Sequence, residues 1–69
     1  MITYYVHNTF VYFYDETKMK VVFYDTSRKG VFSSIFNLAD LLEDHAWDGI
    51  IEAENPQEAW EIAKLLGGT

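Results

Sequence analysis

Across residues 2–14 nearly every position is β-branched or aromatic, Gly and Pro are absent, and the apolar positions do not recur at helical spacing. Side chains of this kind suit a pleated, half-buried surface, so the stretch predicts strand. Continuous alternation sets Ile2, Tyr4, Val6, Phe10, Tyr12 and Tyr14 on one face and Thr3, Tyr5, His7, Thr9, Val11 and Phe13 on the other. The segment is either one long strand or two strands joined by a tight turn at Asn8-Thr9. The second is favoured, because Asn tolerates positive φ and strands average about 5–6 residues. Residues 15–18 read as a hairpin loop, residues 19–24 as the next strand, and residues 26–30 as the close of a β-rich half.

The period then changes. Ile35, Leu38, Ala39 and Leu42 stand at i, i+3, i+4 and i+7, a single apolar stripe that predicts a helix over about residues 35–45 with Ser34 as its N-cap. Residues 49–53 predict a short strand. Asn55-Pro56-Gln57-Glu58 is the strongest local signal: a capping side chain, a proline where its missing N–H costs nothing, and a glutamate placed as in a capping box. The second helix starts there, buries Ala59, Ile62, Ala63 and Leu66, carries Trp60 on the flank of that stripe, and ends at Gly67 or Gly68. The expected fold is α+β, a small antiparallel-dominated sheet of three to four strands with two helices on one face, in the order β(β)βαβα. At 69 residues the chain is expected to form a single compact domain, residues 1–69, without internal repeats.

Charge divides the chain. The first thirty residues carry Asp15, Glu16 and Asp25 against Lys18, Lys20, Arg28 and Lys29, whereas the remainder carries eight acidic side chains against Lys64 alone, for a net charge of −6. Eight of the twelve aromatic residues lie in the first 25. The front is therefore aromatic and nearly neutral, and the rear is acidic. With no cysteine, disulfides, thiolate nucleophiles and Cys-based zinc sites are excluded. Only His7 and His45 could act near neutral pH, and they fall in different layers with no triad spacing. His7 is expected at a strand end and His45 at the end of the first helix, where a protonated imidazole complements the helix terminus. Arg28-Lys29-Gly30 lacks the glycine spacing of a phosphate-binding loop. Catalysis, a cofactor and a metal site are therefore not expected, nor is a membrane span, since the apolar runs are only a few residues long. The start, MITYYVHNTF, lacks the basic and apolar regions of a signal peptide, and a cytoplasmic location is expected.

Asp40, Glu43 and Asp44 share one helix face at i, i+3 and i+4, either as a solvated surface or, with Asp48, Glu52, Glu54, Glu58 and Glu61, as an anionic patch for a basic partner. Trp47 and Trp60 are the aromatic side chains placed to anchor such a contact. Together these ten residues are the expected partner-binding set, and the partner is a basic protein surface of a nucleic-acid-binding protein, without direct nucleic-acid contact. Two alternatives are a sheet that stacks nucleic-acid bases on Tyr5, Phe13 and Tyr24, with Lys18, Lys20, Arg28 and Lys29 on phosphates, and a structural homodimer formed through an exposed sheet face or edge.

A tiny, cysteine-free, strongly acidic α+β chain resembles, in type, small phage-encoded inhibitors such as anti-CRISPR proteins and DNA mimics. Its most recognisable stretch, residues 50–63, is a strand, cap and helix that is also similar to a segment of HicB-type antitoxins. Those antitoxins append a basic DNA-binding segment, so the chain is not expected to be of that kind. The inhibitor resemblance implies stoichiometric blocking of a host protein without turnover, in the host cytoplasm.

Overall fold

A computed structural model describes residues 1–43 and 46–67. Five strands, β1 (Ile2–His7), β2 (Phe10–Asp15), β3 (Lys20–Asp25), β4 (Gly30–Ser33) and β5 (Gly49–Ala53), and two helices, α1 (Leu38–Leu42) and α2 (Pro56–Gly67), follow in the order ββββαβα. The strands form one antiparallel sheet in the order β4-β3-β2-β1-β5. The α+β reading holds, with five strands where three to four were expected.

Residues 2–14 fold as two strands. Asn8 adopts φ 56° in the two-residue turn, the conformation that tight hairpins require and that Asn accepts more readily than most residues. The turn corrects the predicted faces. Val6 stands opposite Val11 and Tyr5 opposite Tyr12, so even positions of β1 share a face with odd positions of β2. One face then carries Tyr4, Val6, Val11, Phe13, Val22, Tyr24, Ile51 and Ala53, and the other carries Tyr5, Phe10, Tyr12, Val21, Phe23 and Phe32. Both faces are rich in apolar groups and both must be covered.

The two helices divide that work, which corrects the placement of both on one face. The main core contains Tyr4, Val6, Val11, Ile51 and Ala53 with Ala59 and Ala63 of α2, and Phe13, Tyr24, Trp60 and Ile62 pack around it. Small side chains bring α2 close to the sheet. A Cβ on Gly49 would sit 3.2 Å from that of Ala63, a contact with little room to give. The second face is covered by the connection from β4 to β5. These are opposite edges of the sheet, about 19 Å apart at the usual strand spacing, so the chain must cross the sheet. It does so over the second face, laying Phe36 and Trp47 on Tyr12 and burying Leu41 of α1.

The first helix departs most from expectation. It spans five residues, and its N-cap is Asn37, whose Oδ1 accepts from the Asp40 N–H at 2.8 Å. Ser34 instead accepts from the Phe36 N–H at 3.0 Å, turning the chain before the helix starts. The predicted buried stripe faces solvent: Ile35 is 97%, Leu38 39% and Leu42 63% exposed, while Leu41 is 1% exposed. Asp44 and His45, which complete the predicted helix, lie outside the described residues, as does Gly68.

The second helix begins as predicted. Asn55 Oδ1 accepts from the Glu58 N–H at 2.8 Å, and Glu58 Oε1 accepts from the Glu54 N–H at 3.1 Å. Asn55→Ala is expected to lower stability by about 1 kcal/mol, read as a shift in denaturation midpoint at constant m-value. Leu66, assigned to the buried stripe, is exposed.

The loops after β2 and β3 share one design. Asp15 Oδ1 accepts from the Thr17 N–H and Asp25 Oδ1 from the Ser27 N–H, and four residues after each aspartate Met19 and Lys29 take φ 56° and 55°. The sequence repeats accordingly: Phe13-Tyr14-Asp15 precedes Val21 as Phe23-Tyr24-Asp25 precedes Val31. The recurrence gives both loops the same aspartate-anchored turn. Asp25 is buried. The Ser27 hydroxyl at 2.6 Å is the main cause of a carboxyl pKa held below its ordinary value, reinforced by the Ser27 and Arg28 N–H groups and by the Arg28 charge, while burial works against it. A depressed pKa favours the folded state wherever the carboxylate is ionised. That stability is complete above the ordinary value of 3.8 and is lost as pH falls through the lower folded value. Ser27→Ala is expected to move the Asp25 titration upward, as followed by the Asp25 carboxyl resonance between pH 2 and 6, and to shift acid unfolding to higher pH.

Candidate functional site

The predicted partner-binding residues separate into three groups. Glu54, Glu58 and Glu61 lie at and just before the N-terminal half of α2, and two of their carboxylates have local partners: Glu58 Oε1 accepts from the Glu54 N–H just before the helix, and Glu61 Oε2 accepts from Gln57 Nε2 at 3.4 Å. Burial, then the charges of Glu54 and Glu58, push the Tyr4 phenol above its ordinary value, so part of this field acts inward on the core. Asp40 and Glu43 belong to the α1 segment on the opposite face, and Glu52 of β5, in register with Thr3, faces that same side. Asp48 lies in the approach to β5 and closes on the β1–β2 turn. Its N–H donates to Val6 O at 2.7 Å and its Oδ2 accepts from the Asn8 N–H at 2.7 Å. Asp44 lies outside the described residues. The seven described acidic side chains thus do not form one continuous patch, because the sheet stands between α1 and α2.

The tryptophans separate in the same way. Trp60 is half-buried at the edge of the core, its Nε1 donates to Asn8 O at 2.8 Å, and Lys64 Nζ lies 5.6 Å above its ring. It therefore ties α2 to the β1–β2 turn. Trp47 lies across the second face against Tyr5, Tyr12 and Phe36, with ring centroids 5.5, 5.4 and 6.4 Å away. The base-stacking alternative loses its platform, because Tyr5 lies on one face while Phe13 and Tyr24 lie on the other, packed against the α2 core.

Sequence reasoning missed the exposed apolar side chains of the α1 segment. Ile35, Leu38 and Leu42 flank Asp40 and Glu43, and Leu38 and Leu41 also wall a cleft of about 570 Å³ shared with Tyr5, Tyr14 and Thr17. The missed signal is Leu41-Leu42: adjacent leucines on a helix point about 100° apart, and in a helix of five residues only Leu41 is buried. A second, smaller hollow of about 180 Å³ is lined by His7, Tyr12, Phe36, Ala46 and Trp47. Burial raises the Tyr12 phenol pKa above its ordinary value.

Among the described residues, no group of three or more His, Asp or Glu side chains is placed to hold a metal ion, and no helix is long and apolar enough to cross a membrane. Compared with protein-family models, curated proteins and solved structures, the chain matches none.

Proposed function

We propose that the chain is a non-enzymatic, acidic protein-binding module, an inhibitor of the phage-encoded type that occupies a basic, nucleic-acid-binding surface of a partner protein. One observation carries this reading: the α1 segment holds Ile35, Leu38 and Leu42 in solvent beside Asp40 and Glu43. A small domain gains nothing in its own stability from exposed leucine and isoleucine, and apolar side chains held in solvent near charge suit an interaction surface. The carboxylates steer encounter with a basic surface and the apolar side chains hold the complex once water is expelled. Compared with the ten residues expected from sequence, the docking surface narrows to the α1 side, where Asp40, Glu43 and Glu52 remain in the set. Asp48, Glu58 and Trp60 serve the fold.

The test is charge reversal. Asp40→Lys with Glu43→Lys is expected to slow association with a purified captured partner at least about tenfold at low salt, with little change in dissociation. Raising ionic strength should bring the parent protein toward the variant rate, because exposed charges are screened. An association rate that neither the substitutions nor salt alters would contradict the reading.

A further inference from the structure

The 180 Å³ hollow on the second face is built from three rings delivered by three separate parts of the chain: Tyr12 from β2, Phe36 from the turn before α1, and Trp47 from the approach to β5. Tyr12 lies 5.3 Å from Phe36 and 5.4 Å from Trp47, Phe36 and Trp47 are 6.4 Å apart, and the rings are inclined to one another by 76°, 56° and 69°. Rings inclined in this way form a corner along one side of the hollow, whose remaining lining is His7 and Ala46.

Each wall is fixed independently of any ligand. Phe23 backs Tyr12 at 5.4 Å, and Tyr5 backs Trp47 at 5.5 Å. The Ser34 hydroxyl holds the Phe36 N–H, and both hydrogen bonds of Asp48 pin the residue that follows Trp47. A preorganised site binds without the entropic cost of assembling its walls.

We propose that Tyr12, Phe36 and Trp47 form a receptor for an alkylammonium cation, the chemistry shared by a quaternary ammonium headgroup and a methylated lysine side chain. Aromatic faces carry negative potential, and a cation within about 6 Å of a ring centroid is attracted to it, Trp most strongly. Three rings around one hollow add these attractions, and the net charge of −6 favours a cationic guest while opposing an anionic one. Size agrees, since drug-sized ligands need pockets of about 300 Å³ or more and this hollow suits a compact headgroup. The inference stands on ring geometry and does not depend on the α1 docking surface.

Titration of the intact protein, followed by the Trp47 and Trp60 indole resonances at constant ionic strength, tests it. Choline is compared with its neutral isostere 3,3-dimethyl-1-butanol, and a trimethyllysine peptide with the same peptide carrying unmodified lysine. Choline or the trimethyllysine peptide is expected to shift Trp47 saturably and to bind at least about fivefold more tightly than its uncharged or unmethylated counterpart. Trp60, already beneath Lys64, should not respond. Tighter binding of the peptide assigns the guest to a protein, and tighter binding of choline to a free small molecule. Phe36→Leu should weaken binding about fivefold or more while the circular dichroism spectrum and the Trp60 resonance stay unchanged. Equal binding of the neutral isostere, or no saturable Trp47 shift from either cation up to about 100 mM, overturns the proposal and leaves the charge-reversal result on α1 unaffected.

Discussion

Replacing Tyr4 with alanine is expected to leave the chain largely unfolded at 25 °C. Tyr4 is among the largest fully buried side chains, 2% exposed, and it joins β1, β5 and α2 in the main core. Its ring also meets Phe13 edge-on at 5.2 Å, a geometry that contributes beyond area alone. Truncating a buried aromatic to alanine costs about 3–5 kcal/mol. The single core of a domain this short supplies only about 3–5 kcal/mol of stability in total, so one substitution removes most or all of it. Tyr4→Phe serves as the control, since it keeps the ring and removes only the hydroxyl, and it should fold. The control has its own signature. Burial and the charges of Glu54 and Glu58 favour the neutral phenol. The stability this gives the parent is present below the ordinary phenol value of 10.0 and is lost as pH rises through the higher folded value. The Phe variant should lack that alkaline loss. Denaturant unfolding of both variants at pH 7 and pH 10.5 reads all three expectations.

The second large effect separates binding from folding. Ile35→Ser with Leu42→Ser is expected to change stability by less than about 0.5 kcal/mol, as for exposed positions without special roles, yet to weaken partner binding about 100-fold or more, chiefly through faster dissociation. Leu41→Ala is the counterpart. It removes the only buried side chain of α1 and should cost about 2–5 kcal/mol of stability. If the serine variant lost as much stability as Leu41→Ala, the exposed side chains would be holding the fold and would not constitute a docking surface.

Local chemistry made parts of this molecule readable in advance. The Asn8 turn and the Asn55-Pro56-Gln57-Glu58 helix start depend on a few neighbouring residues, and both form as their side chains dictate. What depended on long-range placement was harder to read. The phase of alternation beyond Asn8 reverses because a two-residue hairpin reflects the chain, so Phe10 and Tyr12 lie opposite the face that unbroken alternation assigns them. The α1 stripe satisfies the helical period, but a five-residue helix crossing a sheet presents one side chain downward, and Leu41 fills that position in place of Leu38 and Leu42. The two-sidedness of the sheet shows in Val21-Val22, adjacent in β3 and both buried: adjacent strand residues point to opposite faces, so a covering layer is needed on each. The Phe-Tyr-Asp recurrence at a ten-residue interval marks the two loops that turn alike. The acidic residues were counted correctly from sequence, but only the opposed helices determine that Glu58 and Glu61 cannot act together with Asp40 and Glu43.

Photo-crosslinking from two positions in parallel reports whether a partner docks on the α1 side. One photoreactive side chain replaces Leu42 and another replaces Glu61, each exposed and on opposite sides of the sheet. The account predicts a partner adduct from position 42 that fades as salt is raised, with none from position 61. Adducts formed only from position 61, or adducts from position 42 that persist unchanged at high salt, would contradict it.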